Sequence, residues 1–185
     1  MKKDTIQKGQ LLLSEPFMAD SNFKRAVILL CEHHSEGTVG FILNKTINMK
    51  INELLADFPE FDAPVYYGGP VDTDTIHFIH NVGDLLEDSF EIANGLYWGG
   101  DFEKLKFLID SKLVQPHNIR FFVGYSGWSP GQLKEELFYK SWFTAQYDKN
   151  YLFKTKADAL WNQIMSNKGD TFSIIARMPD SHSWN

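Results

Sequence analysis

A glycine-rich stretch at residues 121–137, FFVGYSGWSPGQLKEEL, contains the serine whose neighbours best suit nucleophilic chemistry. In a nucleophile elbow, G-x-S-x-G, small residues two before and two after the serine allow the strained turn that exposes its oxygen. Gly124 meets the first requirement for Ser126, but Trp128 occupies the second position. The pattern therefore breaks, and a hydrolase would still need a histidine base and an acid to meet Ser126 in space.

Acid–base candidates for such a hydrolase lie in the segment CEHHSEG, where Glu32 and His33 are followed by His34 and Glu36. The same cluster raises the question of a metal site. Adjacent residues of a strand point to opposite faces, so His33 and His34 should not bind one ion. We predict no metal and no cofactor. Cys31, inside an apolar run, is interpreted as a small core residue.

The second half of the glycine-rich stretch has the features of a helix start. Ser129 is a good N-cap, Pro130 suits the first helical position, and Gln132 stands three residues after the cap, as in a capping box. The spacing predicts a helix that leaves residues 134–136 exposed and is anchored by three apolar side chains, Leu133, Leu137 and Phe138.

Free N–H groups at a helix start after a glycine-rich turn can also bind phosphate or carboxylate. The match to a P-loop is poor, because no lysine directly follows Gly131. Trp128, next to Gly127, is either a plug in a corner of the fold or one wall of a pocket. Both interpretations stay open at this stage.

Two further positions suggest special backbone geometry. Gly68 and Gly69 before Pro70 indicate close backbone packing or a turn with positive φ. Asn44 ends a strand with an amide that can bond turn backbone. The candidate ligand or partner surface combines these positions with the hairpin and the glycine-rich stretch: Glu32, His33, Asn44, Gly68, Gly69, Pro70, Ser126, Gly127, Trp128, Gly131 and Gln132.

Composition narrows the class of protein. The 185 residues carry a formal charge of −6, which opposes nonspecific attraction to nucleic acid. No segment approaches the roughly 20 apolar residues that span a bilayer, and the N-terminal apolar run is too short for a signal peptide. With a single cysteine, the sequence predicts a reduced, cytoplasmic protein without a membrane segment.

The order of apolar segments predicts one α+β domain over residues 1–185. Strand candidates outnumber helices, and the first two hairpin strands adjoin without a helix between them, which disfavours a doubly wound fold. We expect a curled, barrel-like, mixed or antiparallel sheet with three or four packed helices and a polar tail from about residue 179. YLFK at 151–154 and TFSIIARM at 171–178 are predicted as extended segments.

Four segments together resemble the AlgH/YqgE family of bacterial proteins: residues 9–45, VYYGGPV at 65–71, the stretch 121–137, and the C-terminal tail. Lys134 stands where the family commonly has Glu, and the tail follows the family pattern only loosely. The resemblance implies a compact α+β domain with a bent sheet. It implies no established catalytic residues or cofactor, and a label of transcriptional regulator that comes from one branch.

The function is therefore unknown from sequence. The leading hypothesis is a noncatalytic cytosolic protein that binds a protein or small-molecule partner, with at most an indirect regulatory role. The first alternative is a small hydrolase-like enzyme that uses Glu32, His33 and Ser126. The second is direct DNA binding, which the acidic charge makes the weaker hypothesis.

Overall fold

An open sheet of ten strands dominates the computed structural model, which describes residues 5–179. Along the main path the strand order is β10-β1-β2-β3-β9-β6-β8-β7, and β4 joins through β5 to β9. The pairing of β5 with β9 is parallel and the others are antiparallel. The strands are β1 Gln10–Ser14, β2 Val27–His34, β3 Gly37–Ile42, β4 Thr46–Lys50, β5 Pro64–Tyr67, β6 Val71–His80, β7 Phe90–Ala93, β8 Leu96–Trp98, β9 Ile119–Trp128 and β10 Trp142–Gln146.

Six α-helices occur in the described part of the chain, more than the three or four predicted. They are α1 Ile51–Leu54, α2 Phe102–Asp110, α3 Gln132–Phe138, α4 Lys149–Phe153, α5 Ala157–Asn167 and α6 Asp170–Arg177, and a 3-10 turn spans Pro116–Asn118. The α+β class with a mixed sheet is confirmed. The sheet bends but does not close into a barrel. Most of the predicted polar tail lies outside the described residues.

The two segments that were predicted to be extended are helical instead. α4 begins because the Asp148 side chain accepts a hydrogen bond from the Asn150 N–H at 2.8 Å, a cap that outweighs the apolar character of YLFK. In α6, Phe172 packs edge-to-face on Phe143 at a centroid distance of 5.4 Å, while Ile174 stays exposed. A short apolar run fits either period, and here the helical one buries the residues that meet α5 and β10.

Both faces of the sheet are covered, which explains the nearly continuous apolar strands. Leu11 and Leu13 join the core beneath α5 and α6, whereas Leu12 between them joins the core beneath α3. Phe121 faces a third cluster under α2, and Phe122 faces the first. Different helices therefore pack on different parts of the same sheet.

β9 is the strand around which the sheet is organised. Its first half pairs with β5 and β6, and its second half pairs with β3, so that Thr38 lies opposite Trp128 and Gly40 opposite Ser126. The glycine-rich residues that end this stretch are therefore part of a strand rather than of a turn, because β3 extends the ladder as far as Trp128. The chain bends within the strand at Gly124, whose φ is 65°.

Candidate functional site

The Gly68–Pro70 segment passes directly against β9, as the glycine pair predicts. A Cβ atom on Gly69, whose φ is 152°, would lie 2.3 Å from the carbonyl carbon and oxygen of Tyr125. A Cβ atom on Gly124 would lie 2.5 Å from the Gly69 oxygen. We call this contact the glycine crossing. It holds the segment between β5 and β6 against the bent strand β9.

Ser126 is part of this crossing rather than of an open pocket. Its side chain is fully buried, and its hydroxyl donates to the Gly68 carbonyl at 3.0 Å. The ring of His33 contacts the Thr38 hydroxyl at 2.7 Å through Nδ1. Glu32 contacts His34 Nε2 at 3.1 Å. The three residues of the hydrolase hypothesis therefore have different hydrogen-bond partners.

Asn44 has the local role predicted from its place at the end of a strand. Its side-chain oxygen accepts from the Val27 N–H at 2.9 Å, and its amide nitrogen donates to the Arg25 carbonyl at 2.8 Å. Asn44 thus holds the chain where β2 begins. This contact with backbone accounts for both ends of the amide without a ligand.

A cleft of about 520 Å³, here named the histidine cleft, lies between the β2–β3 hairpin and the start of α3. The hairpin contributes His33, His34 and Thr38, and the other wall comes from residues 129–134, including Lys134. His34 Nδ1 accepts from the Glu36 N–H at 3.1 Å. Neutral His34 must therefore carry its proton on Nε2, where it can donate to Glu32.

The start of α3 differs in detail from the predicted capping box. The helix begins at Gln132 after Gly131, whose φ is 79°, and the Ser129 hydroxyl does not cap a helical N–H. The second half of the capping box is present: Gln132 Oε1 accepts from the Ser129 N–H at 3.0 Å and lies 3.1 Å from its hydroxyl. Gln132 therefore braces the loop that forms one wall of the histidine cleft.

A second concavity, here named the tryptophan cleft, lies on the other side of α3 and measures about 310 Å³. Trp128 and Trp142 meet edge-to-face at a centroid distance of 5.9 Å, and Phe23 packs against Trp142 at 5.5 Å. Glu136 and Asp20 supply the carboxylates that line it. Trp128 thus both closes the core and forms a wall of this cleft.

Glu136 joins the two tryptophans. Its Oε2 accepts from Trp128 Nε1 at 2.9 Å and from Trp142 Nε1 at 2.8 Å, while Oε1 accepts from Gln132 Nε2 at 3.0 Å. The prediction that Glu136 is exposed is wrong, because α3 turns this half-buried side chain towards the two indoles. Phe138, predicted to anchor the helix, is 79% exposed, since Leu133 and Leu137 occupy the inward face.

Sequence reasoning therefore missed Glu136, Trp142, Phe23 and Asp20 as parts of the site. One signal for Glu136 was available. It stands four residues after Gln132, on the same helix face, a spacing at which polar side chains bond one another. The positions of Trp142, Phe23 and Asp20 depend on strand pairing and loop packing that no local pattern encodes.

A serine–histidine pair occurs elsewhere, between β6 and the loop before β7, but its geometry opposes catalysis. His80 Nε2 lies 3.1 Å from the Ser89 hydroxyl and 2.7 Å from the Gly99 carbonyl, and Nδ1 accepts from the Val82 N–H at 3.3 Å. With Nδ1 accepting, the neutral ring carries its proton on Nε2 and cannot take one from Ser89 there. His80 is fully buried, and we interpret the pair as structural.

His80 leads to a pH prediction. Burial lowers the pKa of His80 from its usual value of 6.5, so the unfolded chain binds a proton more readily than the folded chain. The contribution of His80 to the free energy of unfolding should therefore be fully present above pH 6.5 and be lost as the pH is lowered below it. Urea unfolding measured between about pH 8 and pH 5 gives the dependence of the unfolding free energy on pH. We expect this dependence to be weaker in His80→Gln and unchanged in His117→Gln, a control at an exposed position. Equal pH dependence in the two variants would refute the prediction.

The family to which the chain belongs follows from a match that covers most of its length. A family model described as DUF179, AlgH-like, matches residues 11–173, which include the glycine crossing and most of the lining of the two clefts. The chain belongs to the AlgH-like family. The resemblance to AlgH/YqgE proteins inferred from the four segments is thereby confirmed.

Relatives of this AlgH-like chain share nearly its full extent. A UPF0301 protein of Chlorobaculum parvum is 42% identical over 177 residues, covering 96% of this chain and 95% of the relative. A UPF0301 protein of Cytophaga hutchinsonii is 39% identical over 175 residues, covering 94% and 96%. Their names state no activity, so the function of the family is not fixed by these relatives.

Two solved structures have the same AlgH-like fold. The solution structure of the AlgH protein from Pseudomonas aeruginosa has a TM-score of 0.74 at 27% identity, covering 97% of each chain. The crystal structure of protein DIP2367 from Corynebacterium diphtheriae has a TM-score of 0.79 at 21% identity, covering 96% of this chain and 95% of that one. At that lower identity the second likeness concerns the fold alone.

Two features are absent from the described residues, 5–179. None of the helices in this range has the length and apolar character needed to cross a membrane. Within the same range, His, Cys, Asp and Glu side chains do not gather in groups of three that could hold a metal ion. Cys31 is buried, and burial together with the nearby Glu32 carboxylate raises the pKa of its thiol.

Proposed function

We propose that this AlgH-like chain is a noncatalytic, cytoplasmic binding protein whose working face consists of the histidine cleft and the tryptophan cleft. Any regulatory effect is indirect, through the bound partner or small molecule. The observation that carries the proposal is the position of α3, whose first turn separates the two clefts and contributes to the walls of both. Several candidate residues from distant segments meet there, as a binding site requires.

Gln132 supports the treatment of the two clefts as one face. Its oxygen braces Ser129 beside the histidine cleft, and its nitrogen donates to Glu136 in the tryptophan cleft. A ligand that displaces the wall of one cleft would therefore also displace the wall of the other cleft through the Gln132 side chain. Such a link between the clefts favours a role of Gln132 in ligand binding over a purely structural role in packing α3.

The hydrolase alternative has less support. A nucleophile needs a base within hydrogen-bond reach, about 2.6–3.2 Å. The Ser126 hydroxyl instead donates to the Gly68 carbonyl, and the side chain has no exposed surface. Direct DNA binding also has little support, because the net charge of −6 opposes the phosphate contacts that dominate such affinity.

The test is affinity capture from native lysate with three immobilised forms of the chain. The double variant His33→Ala/Lys134→Ala alters the histidine cleft, and Lys112→Ala/His117→Ala is a control with the same change of residue types at exposed positions elsewhere. Mass spectrometry of retained proteins and small molecules is the readout. We expect a species whose retention falls about tenfold, equivalent to about 1.4 kcal/mol, in the first variant and not in the control.

Identical retention by all three forms would contradict the use of the histidine cleft. A different result would favour the enzyme instead. If the wild type consumes a compound in the lysate, and both Ser126→Ala and His33→Ala abolish that turnover while remaining folded, the hydrolase hypothesis replaces the binding hypothesis.

A further inference from the structure

The polar groups of the tryptophan cleft leave few hydrogen-bond donors for a ligand. Both indole N–H groups, on Trp128 and Trp142, already donate to Glu136. One N–H of the Gln132 amide does the same. An indole has a single N–H donor, so neither tryptophan can donate to a bound molecule without breaking its bond to Glu136.

Acceptors, in contrast, remain available there. An ionised carboxylate has about four lone-pair positions, and Glu136 uses three of them, leaving one on Oε1. Asp20, exposed at the same cleft, uses Oδ1 to accept from the Asn22 N–H at 2.9 Å. A molecule that brings donors and positive charge therefore suits this cleft.

The side chains that line the tryptophan cleft also favour a cation. Trp128, Trp142 and Phe23 line the cleft, and aromatic rings attract cations through their quadrupole, tryptophan most strongly. Among the described residues that line it, none is Lys, Arg or His. Lys45 lies near Asp20 but outside this lining, and its ammonium donates to the Ser21 carbonyl at 2.9 Å.

We propose that the tryptophan cleft binds the cationic head of an alkylguanidinium or alkylammonium compound. The proposal rests on the proposed binding function and names the ligand class for one of its two clefts. The volume of about 310 Å³ is at the lower end for ligand pockets and accommodates one head group with a short alkyl chain. The carboxylates bind the charge and donors of the head, and the aromatic rings contact both the cationic head and its apolar chain.

An anion does not suit this site, because it would meet two carboxylates and no free indole donor. A hard metal ion such as Ca²⁺ requires about six to eight oxygen ligands, far more than Asp20 and Glu136 provide. An uncharged apolar ligand would leave the last Glu136 lone pair without a partner. A cation with N–H groups satisfies both the charge and the hydrogen-bonding requirement.

The test is titration of the ¹⁵N-labelled chain with n-butylguanidinium, and with n-butylurea and butyrate as neutral and anionic analogues of similar shape. The indole N–H resonances of Trp128 and Trp142 report directly from the cleft, and those of Trp98 and Trp161 are internal controls. We expect a saturable shift of the first two with n-butylguanidinium, with a dissociation constant on the order of millimolar for so small a probe. The two analogues should give none.

Asp20→Asn is the variant of choice, since the exposed side chain keeps its acceptor for Asn22 and should not disturb folding. We expect it to weaken n-butylguanidinium binding about two- to fivefold, as for an exposed charge pair. Glu135→Gln removes an exposed carboxylate from the same helix outside the cleft and should leave the affinity unchanged.

The source of the cation is resolved by two further probes. Tighter binding of the blocked peptide acetyl-Gly-Arg-Gly-amide than of n-butylguanidinium supports an arginine side chain of a protein partner; tighter binding of spermidine supports a free polyamine. The inference is overturned if no cation gives saturable shifts, if n-butylurea binds equally well, or if Asp20→Asn has no effect. If lysate capture still depends on His33 and Lys134 in that case, the binding function stands and only the ligand class fails.

Discussion

We expect Glu136→Ala to lower the free energy of unfolding by about 3 kcal/mol, since it leaves two buried donors without a partner, each costing about 1–3 kcal/mol. The donors are the indole N–H groups of Trp128 and Trp142, two residues that are 6% and 3% exposed. Both now bond one carboxylate oxygen, and charge-assisted bonds of this kind are stronger than neutral ones. Urea unfolding followed by tryptophan fluorescence measures the change.

Two matched variants make the result specific. Glu135→Ala removes the neighbouring acid, which is exposed, and should change stability by no more than about 0.5 kcal/mol. Glu136→Gln keeps an amide oxygen that can accept from the indoles, so its loss should be smaller than that of Glu136→Ala. A Glu136→Ala protein as stable as Glu135→Ala would show that the carboxylate does not hold the two rings.

The second large effect is expected at the glycine crossing. Gly69→Ala should prevent folding or lower stability by more than about 4 kcal/mol, because its Cβ would lie 2.3 Å from backbone atoms of Tyr125. Backbone cannot rotate away as a flexible side chain can, so β9 would have to separate from the segment between β5 and β6. Soluble yield and thermal unfolding by circular dichroism are the measurements.

Gly95→Ala is the control for this prediction. Gly95 has a φ of 76°, but no atom lies within 4 Å of the position that a Cβ would take, so only the backbone preference is tested there. That preference should cost about 1–2 kcal/mol. If Gly69→Ala and Gly95→Ala destabilise the chain equally, the crossing contributes no more than an ordinary positive-φ turn.

Elements that are stabilised by their own sequence can be predicted from local patterns. The apolar residues of α2 recur at helical spacing, and the helix is capped by Asp101, whose side chain accepts from the Lys104 N–H at 2.7 Å. The β7–β8 hairpin turns at Asn94 and Gly95, as that pair indicates. In both cases the signal and the contact lie within a few residues of each other.

Features that depend on distant partners were missed. The extension of β9 as far as Trp128 requires Thr38 on β3, so glycine-rich composition alone suggested a turn. Glu136 is recognised as part of a site only when Trp142 arrives from β10. The sequence thus predicted the family and the α+β class with a mixed sheet, whereas the chemistry of the tryptophan cleft follows from tertiary packing.

The place of β1 in the sheet has a consequence for synthesis on the ribosome. β1 lies between β2 and β10, with Gln10 opposite Gln146. Until β10 has emerged, the nascent chain presents β1 as an unpaired edge, which is a template for association with other chains. Such long-range pairing is also slow to form. Protection of that edge by a chaperone during translation would therefore matter more for this chain than for one whose neighbouring strands are consecutive.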